Sequence, residues 1–192
     1  MKKLLVTSIV TLFFAHSILA QSEAPPPSPK YYLGLGTGLN SAGLLGIKSA
    51  FRLHELILID AFAGLGTWGW KYGAGFVFNA KNKKSFCPAI SLTHATGVND
   101  ILYTSKDDNN NSGDEVRMDL KPATMLNLTI QRHWVFKETN RLVFEFGYSF
   151  LLNGGRYEFT TPNFTPTSFD KQVWDLLRPG GISLGLAFYF GL

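Results

Sequence analysis

From Tyr31 onward, large apolar side chains recur at every second position in one segment after another, with small or polar residues between them. A period of two is the mark of a strand whose faces meet different surroundings. The last segment is the clearest: Ile182, Leu184, Leu186, Phe188, Phe190 and Leu192 share one face, and Ser183, Gly185, Ala187, Tyr189 and Gly191 the other. Arg141–Leu152 repeats the pattern, setting Leu142, Phe144, Phe146, Tyr148, Phe150 and Leu152 against Arg141, Val143, Glu145, Gly147 and Ser149. Similar alternation predicts strands over Tyr31–Leu39, Leu45–Leu53, Leu56–Gly66, Trp70–Phe78, Phe86–Thr96 and Lys121–Trp134, eight in all. Each is long enough for the roughly 9–11 residues that a tilted strand needs to cross a hydrocarbon layer. The expected fold is therefore all-β: an eight-stranded antiparallel up-and-down transmembrane β-barrel with apolar residues outward.

The connections test that count. Turn residues lie at Asn40-Ser41-Ala42-Gly43, His54-Glu55, Thr67-Trp68-Gly69, 80–84 and 137–140, and two long connections lie at about 98–119 and 153–180. Outer-membrane barrels keep short turns on the periplasmic side and longer loops outside. With both chain ends on the inner side, the two long connections fall together on the outer side. A count of seven or nine strands would break that parity.

The first twenty residues read as a secretory signal peptide, with Lys2 and Lys3 before an apolar stretch from Leu4 to about Leu19 and a cleavage point after Ala20. Residues 21–30 hold Pro25, Pro26, Pro27 and Pro29, and form an extended stub before a barrel domain over 31–192. Of 18 basic and 14 acidic residues, two lysines leave with the leader, so the mature balance is near neutral and nucleic acid is excluded as a partner. The single cysteine, Cys87, permits no internal disulfide and reads as a small buried side chain. The glycines at 34, 36 and 38 share a strand face, without the spacing or following helix of a dinucleotide fingerprint.

With its leader, eight alternating segments and a final strand ending Phe188-Tyr189-Phe190-Gly191-Leu192, the sequence resembles the small outer-membrane β-barrels of Gram-negative bacteria, the OmpA-type transmembrane barrel, over residues 31–192. The resemblance implies residence in the bacterial outer membrane, contact with outer-membrane lipid, and recognition by the barrel assembly machinery. In that family the final strand is the assembly signal. Phe188, Phe190 and Leu192 would supply it here, Phe190 standing two places before the end rather than last.

Alternation places Lys48, Arg52, Asp60, Lys71, Gln131, Arg141 and Glu145 on inward faces. An eight-stranded barrel is just wide enough for side chains to fill, so these residues predict a polar plug and not an open pore. Two further constellations carry chemistry. The resemblance extends to outer-membrane enzymes that cut lipid A acyl chains with a His-x-Ser pair and a carboxylate; here the counterpart is His94-Ala95-Thr96, with Asp100 nearby. Asp108, Asn110, Ser112 and Asp119 have the oxygen spacing of a calcium loop, with Gly113 at its sixth place, though without flanking helices. Neither set is complete, so no catalytic residue, metal or cofactor is assigned. The expected function is structural or binding, exerted on an unknown extracellular ligand or protein through the two long loops, of which 153–180 is too aromatic to be purely solvated. Two alternatives stay open: a lipid A deacylase-like enzyme, and a soluble lipocalin-like carrier, which would require apolar residues inside and polar ones outside.

Overall fold

The computed structural model describes residues 29–78, 86–106, 112–136 and 139–192. The expected leader and most of the proline-rich stub lie outside the described residues. The elements are β1 (Tyr31–Leu39), β2 (Gly43–His54), β3 (Ile57–Gly66), β4 (Gly69–Phe78), β5 (Phe86–Ala95), β6 (Val98–Lys106), β7 (Ser112–Leu120), β8 (Ala123–Phe136), β9 (Asn140–Gly154), β10 (Tyr157–Phe159), α1 (Ser168–Leu177) and β11 (Gly181–Gly191).

Eight of these strands close into an antiparallel barrel in the order β1-β11-β9-β8-β5-β4-β3-β2. The seam pairs the first strand with the last, from Tyr32 opposite Gly191 to Leu39 opposite Leu184. Asn40, in the left-handed conformation at φ 57°, pins the outer end of that seam. Its side-chain amide donates to the carbonyls of Gly180 and Ile182 and accepts from the Gly180 N–H. An asparagine can adopt this backbone at the turn and still fill three hydrogen-bond sites, which explains its place there.

The side-chain period sorts the wall as the sequence predicts. Lys48, Asp60, Lys71, Gln131, Arg141, Glu145 and Ser183 are buried inside, whereas Leu35, Ile47, Trp70, Phe146, Tyr148 and Ile182 are exposed outside. Gly36 faces the lumen where an added Cβ would come within 2.9 Å of Lys48 Cδ, so the absent side chain is the space through which the lysine stem runs.

The first long connection departs from the expectation of a polar loop, and the aromatic second one is ordered against it. Residues 98–119 contain the β6–β7 hairpin, and β10, from the other long connection, joins its edge in the order β10-β7-β6. The alternation Glu115-Val116-Arg117-Met118-Asp119-Leu120 is the cause: Val116, Met118 and Leu120 are buried, and Asp119 is a strand residue and not a loop tip. The second connection adds α1, whose N-cap Thr167 and third residue Asp170 form a reciprocal capping box. The sixth barrel strand, β8, begins at Ala123 and not at Lys121, because the intervening Pro122 has no N–H to give the ladder.

Substituting Gly36→Val should force the Lys48 stem aside and destabilise the barrel by about 1–3 kcal/mol. Equilibrium urea unfolding followed by tryptophan fluorescence would measure it; an unchanged midpoint would show that the stem has free space to move.

Candidate functional site

Two layers stack along the barrel axis, a polar network in the lumen and an apolar plug beneath the cap. In the network Lys48 Nζ lies 3.4 Å from Asp60 Oδ2 and 3.5 Å from Glu145 Oε2. Tyr189 donates its hydroxyl to Asp60 at 2.9 Å, and Gln131 donates its amide to Glu145 at 3.1 Å. Because the Gln131 nitrogen is committed to a carboxylate, its oxygen faces His133 Nε2 at 3.0 Å, which puts the imidazole proton on Nε2. His133 Nδ1 then accepts from Arg141 Nη1 at 3.5 Å. The Arg141 guanidinium lies 4.6 Å from the Tyr32 ring centroid, and the Tyr32 hydroxyl accepts from Arg52. Arg52 sits at the inner end, where it also donates to the carbonyls of Pro29 and Glu55.

Six of the seven predicted lumen residues, Lys48, Arg52, Asp60, Gln131, Arg141 and Glu145, thus belong to one run of contacts. Lys71 is buried nearer the outer end and joins none of these bonds. Three members were not singled out from the sequence: Tyr32, His133 and Tyr189. His133 stands two residues beyond Gln131, and strand parity alone would have placed it. The gap left among Tyr32, Asp60, Gln131, His133, Arg141 and Tyr189 is about 10 Å3, room for at most one water.

Farther out, Asn127 donates to Thr93 and Ser91 and accepts from Ser149, completing a small polar tier. Above it lie Trp68, Ala95, Met118, Leu120, Ala123, Met125 and Trp174, a buried apolar cluster that spans barrel and cap. Trp68 is fully buried and spends its only donor on the Lys121 carbonyl at 2.8 Å. The cap therefore seals the mouth with side chains drawn from both long connections.

The cap itself is held by Asp170. This fully buried carboxylate accepts from the Tyr103 hydroxyl at 2.9 Å, the Ser105 hydroxyl at 2.8 Å and the Thr167 N–H at 3.1 Å. One turn later Trp174 packs edge-on against Tyr103. Burial, followed by the bond to Asp170 and that group's charge, raises the Tyr103 hydroxyl to a pKa of about 12. At the rim, Asp119 accepts from the Asp100 N–H and pairs with Lys121, which holds its carboxyl below the usual range.

The remaining candidates are dispersed. His94 Nδ1 contacts Thr124 Oγ1 at 3.0 Å, Thr96 Oγ1 accepts from the Trp70 N–H, and Asp100 is paired with Arg117. No hydrogen bond among the described residues joins His94 to Thr96. Of the proposed calcium ligands, Asp108 and Asn110 and the Ser112 side chain lie outside the described residues, and Asp119 is engaged as above. At the final strand Phe190 and Leu192 are exposed outward and Phe188 is half-buried, its ring 4.9 Å from that of Phe190. No family model, curated protein or solved structure matches the chain.

Removing Lys48 alone would leave two buried carboxylates facing each other. Lys48→Met is expected to destabilise by about 3–5 kcal/mol, and adding Asp60→Asn with Glu145→Gln to recover much of that loss. Urea titration of the single and triple variants decides it; equal losses would deny the network its role.

The cap should respond to alkali. Unfolded tyrosine ionises near pH 10. Between there and about 12 the folded cap keeps a proton that the unfolded chain has released, so the Tyr103 contribution is full below about 10 and is lost as pH rises. Asp170→Asn should move the Tyr103 midpoint down toward 10, read from phenolate absorbance with Tyr103→Phe as the assignment control; an unmoved midpoint would refute Asp170 as a cause.

Proposed function

We propose that this chain is an integral protein of the bacterial outer membrane, a closed barrel that displays its cap for binding, and neither a pore nor an enzyme. The observation that carries the reading is the inversion of polarity. The exposed outer wall bears Leu33, Leu35, Ile47, Phe76, Leu92, Phe144, Phe146 and Leu186, while ionisable groups fill the interior. A barrel meant for water would expose polar residues along these strands, and such an extensive apolar girdle is matched by a hydrocarbon surround. A lipocalin-like carrier would need the opposite arrangement.

The rims support the same orientation. At the inner end Tyr31, Phe78, Phe86, Trp134, Phe136 and Phe190 are exposed, an aromatic girdle at the level of lipid headgroups. Arg132 lies over the Phe86 ring at 4.7 Å and Lys30 near Phe51 at 5.6 Å, cations whose stems follow apolar surface to its edge. Both long connections leave from the other end. That agrees with the small outer-membrane barrels the sequence resembles, and makes the barrel assembly machinery and outer-membrane lipid its expected partners. Binding of an extracellular ligand or protein would then fall to the ordered sheet and helix of the cap.

Carbonate washing of membranes from expressing cells, followed by gel electrophoresis with and without boiling, tests the reading. Retention in the pellet with a heat-dependent mobility shift is the expected result. Release into the soluble fraction would sink it.

A further inference from the structure

We infer that the cleft at the outer rim lined by Leu151, Leu152, Asn153, Gly154, Arg156 and Arg178 binds the anionic phosphate headgroup of a membrane lipid, an inference that rests on the membrane reading above. The cleft arises from unequal strand lengths. β11 begins at Gly181, opposite Ser149, whereas β9 continues to Gly154, so the outer end of β9 has no partner on that side. The chain arrives at this gap from the end of α1 through Arg178 and departs from it toward β10 through Arg156. Arg156 and Arg178 thereby line one open cleft of about 590 Å3.

Their charges are unspent. Arg117 is paired with Asp100, and Lys121 with Asp119 and Glu158. Arg156 and Arg178 have neither ion pair nor side-chain hydrogen bond among the described residues, and the nearby Asp175 accepts from the Tyr157 hydroxyl. Planar, weakly hydrated guanidinium groups match the oxygens of a phosphate in bidentate fashion. The other half of the ligand is specified by what lies below. Leu152 is 58% exposed on the outer wall, and Phe150, Tyr148 and Ile182 continue its line down the girdle. A phosphate at the two arginines would leave an acyl chain running along these side chains, and a free anion would use only the upper half.

The full chain folded in nonionic detergent is titrated with short-chain phosphatidic acid, with phosphatidylcholine of the same acyl length and with inorganic phosphate. Native mass spectrometry reads binding, and the heat-dependent mobility shift is recorded on every sample. Phosphatidic acid is expected to bind tighter than either comparator, and Arg156→Gln with Arg178→Gln to weaken it by about tenfold or more while the shift persists. Equal binding of the two lipids, or unchanged affinity in the double variant, overturns the site. Inorganic phosphate binding as tightly as phosphatidic acid overturns the lipid assignment in favour of a free anion. Failure to bind with the shift intact sinks the site alone, whereas absence of the shift in the parent chain sinks the membrane reading and the site with it.

Discussion

A barrel of eight strands has an interior too narrow for bulk water, so polar groups turned inward must find most of their partners within the protein. The contact of Lys48 with Asp60 and Glu145 meets the hardest part of that demand, three ionisable groups on three strands drawn to one point. Lys48 comes from β2, Asp60 from β3 and Glu145 from β9, so the contact also fixes the register of elements far apart in sequence. A slip of one residue in any of them would turn its charge onto the apolar outer wall.

The rest of the network inherits a direction from this point. Arg141 donates to His133, His133 to Gln131, and Gln131 to Glu145. Each bond points from the cationic inner end toward the central carboxylate, and the His133 tautomer follows from its neighbours. Aligned donors of this kind reinforce one another in a low-dielectric interior. They also satisfy much of the charge in the lumen: the two carboxylates accept what the cations and amides around them donate, and the neutral residues between carry the polarity from Arg141 to Glu145. Above this layer the chemistry changes to apolar packing around Trp68, and the same closure is achieved by excluding water.

Much of this was legible because a period of two leaves little freedom. Once Arg141–Leu152 and the final segment were read, inward and outward residues were assigned, and the eight wall strands appear within a few residues of the predicted limits. What escaped notice did so for local reasons. Tyr32, His133 and Tyr189 lie on the inward parity, but alternation gives the face of a residue and not the cross-strand partner its side chain will meet. The β6–β7 hairpin was obscured by the polar run between its strands, although Val116, Met118 and Leu120 alternate as cleanly as any wall strand. In α1 the signal was Thr167-x-x-Asp170, set among prolines and aromatics that suggested irregular chain. The apolar outward face repeats on eight strands and is hard to miss; a helix of one short stretch rests on a single capping box.

The cap shows how little machinery is needed to give loops a fixed shape. Asp170 is buried because it caps its own helix and at the same time accepts from Tyr103 and Ser105 on β6, so helix formation and docking on the sheet are one event. Trp174, one turn along the same face, extends the contact into the plug over the barrel mouth. The position of the helix end, and with it Arg178, is therefore set from two sides, by the capped start of the helix and by Asn40, which holds Gly180 two residues further on. Arg156 is placed independently, by the exit of β9 and by its backbone carbonyl, which accepts from the Lys121 N–H. Two arginines brought to one cleft by separate supports, each left without a counter-charge, form an arrangement that folding alone does not require. A ligand's negative charge would supply the ion pair that no carboxylate among the described residues makes with either arginine.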